Sequence, residues 1–198
     1  SWQLQDALTA TSLNFYAGTF STNNYAVAVT NISLAGRVAA TVNLGSSTVT
    51  ISSSLSGSSQ VTPVTFNAGT SHLVFTSGSP SISASSLSFY DVSFTSISST
   101  GSVVGAHTFH NFSISNTATK NANVLLDSDL TISGTLTMSG NSATNRPWIR
   151  STIVGTARTL TAAAVSLSNM DFRDIAGAGA ASWTGTSLGD VGGNTGIT

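Results

Sequence analysis

"LSFYDVSF" at residues 87–94 and "HTFHNFSI" at residues 107–114 carry one pattern of letters, twenty positions apart. The first reads Leu87-x-Phe89-x-Asp91-Val92-x-Phe94 and the second His107-x-Phe109-x-Asn111-Phe112-x-Ile114. Each half alternates in the period-two rhythm of a strand, whose successive side chains point to opposite faces. The phase breaks between the halves, at the Asp or Asn. A bend made without a loop needs a backbone that can leave the β region, and Asn and Asp do this more cheaply than other non-glycine residues. The pattern is therefore two short strands joined at a corner, and its recurrence implies a stack of such corners.

Further copies extend the series. "LLDSDLTI" (125–132) places Leu125, Asp127, Asp129, Leu130 and Ile132 in the same order, and "VSLSNMDF" (165–172) places Val165, Leu167, Asn169, Met170 and Phe172. A weaker copy, "LNFYAGTF" (13–20), has Ala17 at the bend; looser two-strand units stand at Val42-x-Leu44…Val49-x-Ile51 and Val64-x-Phe66…Leu73-x-Phe75. Self-similarity at such a period is the signature of a solenoid. The expected fold is all-β, a right-handed parallel β-helix of ~18–20-residue coils, roughly eight or nine in number. Asp91, Asn111, Asp129 and Asn169 are expected to stack as a ladder along one corner. Leu87, Phe89, Val92, Phe94, Phe109, Phe112, Ile114, Leu125, Leu130, Ile132, Val165, Leu167, Met170 and Phe172 are expected indoors. A β-sandwich is the competing architecture, but it would not hold a bend residue in register. The expected division is an N-terminal cap at 1–12, the β-helix at 13–175, and a Gly/Ala-rich terminal turn or connector at 176–198.

Composition agrees with strands. Ser and Thr number 65 of 198 residues, Glu is absent and only 7% of the chain is charged, so good helix formers are scarce while β formers and turn residues abound. Five Arg and one Lys against seven Asp leave a net charge of −1, with no basic stripe of the kind nucleic acid requires. No apolar run approaches the ~18 residues of a spanning helix, so no membrane insertion is expected. With no initiator Met and no signal segment, the chain is expected to begin inside a longer product or after processing. Zero Cys removes disulfides and thiolate metal sites.

Candidate chemistry is sparse. His107 falls in an inward position and His110 at the corner, so the two diverge. A zinc site wants three or four ligands, and no metal is expected at either histidine or at His72. A glycosidase needs two carboxylates about 5–9.5 Å apart. "DSD" would put Asp127 and Asp129 on one strand face, and "NMDFRDI" gathers Asp171, Arg173 and Asp174. Asp129 already has a structural role in the ladder, so no catalytic residue is assigned. "GDVGGNTG" (189–196) lacks the Gly-Lys-Ser/Thr ending and following helix of a phosphate loop, so no cofactor is expected. The Asn-x-Ser sequons at Asn31 and Asn111 would matter only in a eukaryotic secretory setting. Trp2, Trp148, Trp183, Tyr16, Tyr25 and Tyr90 could stack on sugars, although core or cap roles are commoner; Tyr90 alone is expected to face outward.

The composition, with segments such as "TFHNFSISNTA", "LTISGTLTMSGNSATNRPWIRSTIVGTARTLTAAAVSLSNMDFRDI" and "GTSLGDVGGNTGIT", resembles large surface-exposed β-helical proteins of bacteriophages and bacteria. The likeness covers most of 87–198 and is one of style and repeat. It implies a non-enzymatic bacteriophage virion part (tail fibre, spike or capsid decoration) on the virion surface or extracellular, packed as a homo-oligomer or against other virion proteins, with host surface polysaccharide as a possible ligand. A bacterial adhesin or polysaccharide-binding β-helix is the alternative implied, and an endolytic polysaccharide-cleaving spike ranks third. It carries no catalytic residue across.

Overall fold

The computed structural model describes residues 1–36, 38–57, 64–115 and 122–197. Among them there is no helix, and every strand pairing is parallel. The chain is a parallel β-helix, a β-solenoid of about seven turns. Successive turns advance unevenly: Leu8 pairs with Val27 and Leu73 with Val92, but Phe112 pairs with Leu136 and Leu136 with Val165. Across all pairings the advance runs from 17 residues, Arg158 to Ile175, to 30, Leu130 to Leu160, and the stretched coils explain why fewer turns form than a constant 18–20 would give.

Each coil has three faces. One carries the column Leu8, Val27, Val49, Leu73, Val92, Phe112, Leu136 and Val165, beside a second column of Ala10, Val29, Ile51, Phe75, Phe94, Ile114, Met138 and Leu167. The next face stacks Leu13, Ile32, Leu55, Ile82, Val103 and Leu126, and in the later coils Val124, Ile149 and Phe172. The third holds Trp2, Phe20, Val42 and Phe66 in early coils and Phe89, Phe109, Ile132 and Ala162 in later ones. The join between those two sets is the edge-on contact of Phe66 with Phe89, ring centroids 5.4 Å apart.

Period-two alternation makes this core. In the strand Thr108–Ser115, Phe109, Phe112 and Ile114 are buried, while the residues between them are not. Phenylalanines then meet ring to ring, the register partners Phe75 and Phe94 at 5.1 Å, Phe94 with Phe112 of the next coil at 5.4 Å, and Phe109 with Phe112 of its own strand at 4.6 Å. Such pairs add about 0.5–1.5 kcal/mol beyond the area they bury.

Stacking corrects several expectations. Asp91 pairs with Asn111, but Asp129 and Asn169 do not continue that column. In the coil above Asn111, Phe109 meets Ile132 and Phe112 meets Leu136, with one extra residue between; the place above Asn111 therefore falls at Gly134–Thr135. Asp129 precedes the strand Leu130–Ser139 and sits at the preceding corner. Asn169 does bend the chain, with φ 53°, but at the following corner, after Val165 and Leu167 have matched Leu136 and Met138. A coil with three corners makes the same letter pattern at more than one of them, so the pattern cannot say which corner it marks. The weak copy at 13–20 errs likewise, since Leu13 and Phe20 belong to two other faces.

Leu125 faces outward between buried Val124 and Leu126, and Leu87 and Val165 are only half-buried. The expected bounds also shift. Trp2–Gln3 and Leu8–Asn14 already pair as coil strands, and Ile175–Gly179 and Gly185–Asp190 pair on the long strand Arg158–Arg173.

Candidate binding surface

The corner at Asp91 and Asn111 is a joint between coils. The Asn111 amide donates to Asp91 Oδ1 at 2.9 Å, and Asn111 Oδ1 accepts the Thr135 amide at 2.8 Å. The second bond spans the register shift, so one side-chain carbonyl does the work of a ladder acceptor. The close approach also explains Gly134: a Cβ there would lie 2.5 Å from Asn111 Oδ1. Asn31 repeats the device in an earlier coil, where it accepts from Ser54 at 2.9 Å across another register shift. Both sequon asparagines are thus engaged in coil-to-coil bonds.

His110 lies flat on Tyr90, centroids 4.3 Å apart and planes 13° apart, with Nδ1 3.2 Å from Asp91 Oδ1. Its side chain is 43% exposed and that of Asp91 34%, so this contact is a surface pairing worth at most about 1 kcal/mol. His72 Nε2 meets Ser93 Oγ at 2.7 Å, and Ser113 donates to Ser93 at 2.7 Å. Hydroxyls, amides and imidazoles therefore tie coils together along the outside.

His107 is different in kind. It is buried, with Nδ1 accepting the Leu87 amide at 3.1 Å and Nε2 meeting the Val104 carbonyl at 2.9 Å. The neutral tautomer with its proton on Nε2 satisfies both. Burial holds the imidazole below the usual histidine value, against the opposing pull of the Val104 carbonyl and the Asp127 charge. His107 lies in a column with Leu87 below and Leu130 above, because Thr108 bonds to Leu87 and Thr131 to His107.

Asp127 and Asp129 are engaged by different coils. Asp127 Oδ1 accepts the Gly105 amide at 2.8 Å, one coil back, whereas Asp129 Oδ1 accepts the Thr159 amide at 2.8 Å, one coil on. They lie in the connection between two strands rather than on one strand face, and point opposite ways along the stack. Asp171 and Asp174 are both nearly buried. Arg146 Nε stands 2.8 Å from Asp171 Oδ1 and Arg173 Nε 3.5 Å from Asp174 Oδ2. Gly189 and Gly193 press against these two carboxylates so closely that neither position has room for a Cβ. Among the described residues no three His or Asp side chains gather as a metal-ligand set.

The two ends of the solenoid differ. At the start, the strands Trp2–Gln3 and Leu8–Asn14 each have a neighbour on one side only. Leu4, Leu8, Leu13 and Phe15 are half-exposed there, Trp2 is 70% exposed, and a cleft of about 260 Å³ opens among Trp2, Leu13, Phe15 and Phe20. At the other end, the loop of "GDVGGNTG" folds back over the last coil. The Gly177 amide donates to the Thr195 carbonyl, and Phe172 O accepts both the Val191 amide and Asn194 Nδ2. Asp190 Oδ1 in turn accepts from Gly192 and Asn194. This glycine-rich loop covers the edge of the strand Ile175–Gly179, while Gly185–Asp190 keeps a partner on one side only.

No family model, no curated protein and no solved structure matches this chain.

Proposed function

We propose that this chain is a non-enzymatic structural and attachment module, a rigid β-helical element built into a larger surface assembly; the style of its sequence favours a bacteriophage tail fibre, spike or capsid decoration. The observation that carries the reading is the open first coil. Two unpaired strand edges and a floor of apolar side chains remain there, whereas at the other end the terminal loop bonds onto the strand Ile175–Gly179. Unpaired edges template further pairing, and a chain with 7% charged residues has little charge with which to keep neighbours away. The outer faces are tied by neutral hydroxyl and amide bonds, which suits a spacer that must hold its shape.

Static light scattering of the purified chain in low and molar salt tests this. Assemblies are expected at both, burying more than ~1,000 Å² per contact and insensitive to salt because little in them is screened. Trp2→Ser, at an exposed end position, is expected to shift the population toward monomer with the β circular-dichroism signal intact. A monodisperse monomer at every concentration and salt overturns the proposal. A bacterial adhesin or polysaccharide-binding module is the second reading, favoured by Trp148 and Arg150 facing outward from one strand on either side of buried Ile149.

A further inference from the structure

Four of the six cationic side chains, Arg146, Arg150, Arg158 and Arg173, fall within 28 residues of sequence. Arg150 and Arg173 are register partners on adjacent coils, which aligns two guanidiniums in one outward column. Like charges directly opposite one another destabilise a strand pair. Arg146 and Arg173 have Asp171 and Asp174 beside them. Arg150 bonds to the neutral Asn123 Oδ1 at 3.3 Å, and no carboxylate among the described residues lies within ion-pair distance of it. Nε and Nη2 of Arg173 are buried without a hydrogen-bond partner in the protein. These two Arg173 atoms are shielded from solvent, with Asp174 Oδ2 3.5 Å from Nε, so Arg150 is the guanidinium of this column that has no carboxylate beside it.

An aromatic stands next to it. Trp148 and Arg150 flank Ile149, which is fully buried, so both face outward. Trp148 lies in register between Asn123 and Asp171, and Arg150 between Leu125 and Arg173. The face therefore offers an indole, a primary amide and the Arg150 guanidinium on two neighbouring strands.

We propose that this face, formed by Trp148, Arg150 and Asn123, binds a carboxylate-bearing saccharide. The planar guanidinium matches a carboxylate two bonds at a time, and an indole presents a flat apolar surface with a polar edge to the underside of a sugar ring. An acidic peptide fits less well. Extended peptides dock by adding a strand to a free edge, and the strands Asn123–Leu126 and Trp148–Ser151 are already paired on both sides. The inference rests on the attachment reading above and gives it a ligand class.

Calorimetric titration of the intact chain tests it, with oligomers of galacturonate, mannuronate, hyaluronan and sialic acid as acidic probes. Maltohexaose is the neutral reference and hexa-aspartate the peptide reference. At least one acidic oligosaccharide is expected to bind and both references to fail. Arg150→Gln and Trp148→Ala should each weaken binding tenfold or more, Arg150→Lys should weaken it less, and molar salt should weaken it in the native chain. Urea midpoints of the variants, expected to be near that of the native chain, separate lost contacts from lost fold. Failure of every acidic saccharide, equal binding of maltohexaose, tighter binding of hexa-aspartate, or indifference to Arg150→Gln overturns the site. Light scattering on the same samples keeps the two proposals apart. Assembly without saccharide binding overturns only this one, and saccharide binding by a strict monomer overturns only the assembly reading.

Discussion

Asn111 stands directly over Asp91 on the next coil and hydrogen-bonds in both directions, giving its amide hydrogens to Asp91 and its carbonyl to the Thr135 amide. Three coils meet at this one side chain. Replacing Asn111 with Ala removes both bonds and leaves the Thr135 amide without its acceptor, at a cost of about 1–3 kcal/mol. Asn111→Asp keeps an acceptor but sets two carboxylates together. It should be destabilised at pH 7 and recover in part as pH falls through the carboxylate range, because protonating either acid relieves the repulsion. Urea midpoints at pH 7 and pH 4 distinguish the two variants.

His107 should impose an acid limit on stability. Its folded-state value is lowered by burial, while in the unfolded chain it titrates near 6.5. The unfolded state therefore takes up a proton first as pH drops below about 6.5, and stability falls until the folded value is passed. Above that window His107 is neutral in both states and contributes no slope. Denaturation midpoints between pH 7.5 and 5 should decline in the native chain, and His107→Gln should flatten this decline while lowering stability throughout.

Three hydroxyls are buried at the corner of the early coils, Thr22, Ser47 and Ser71. Ser47 donates to Thr22 at 2.7 Å and Thr22 to the Leu44 carbonyl at 2.8 Å, but Ser71 Oγ has no partner. Ser71→Ala should accordingly raise the thermal midpoint, corresponding to about 1 kcal/mol, whereas Thr22→Val should lower it by stranding the Ser47 hydroxyl.

Phe94 is fully buried and meets Phe75 and Phe112 edge-on in neighbouring coils. Phe94→Ala should cost about 3–5 kcal/mol through the cavity left at mid-stack. Trp2→Ala, at the exposed first coil, should change the denaturation midpoint far less. Chemical denaturation of the two variants side by side measures the difference.

The parallel β-helix was legible from the letters because its physics is local. Period-two alternation sets which residues turn inward, a bend residue marks a corner, and recurrence implies stacking; Phe89, Phe94, Phe109, Phe112 and Ile114 follow from that alone. Register was not legible beyond adjacent, evenly spaced coils. Asp91 and Asn111 were read correctly as neighbours, but the extra residue opposite Asn111 and the long advance from Leu136 to Val165 moved Asp129 and Asn169 to other corners. Period two repeats at every slip of two residues, so only the hydrogen-bonded partner strand chooses among the possible alignments. The same holds for the surface. Asn123, Trp148 and Arg150 are unremarkable in sequence, the first standing 27 residues before the last, and they become one face only because backbone pairing brings distant strands side by side.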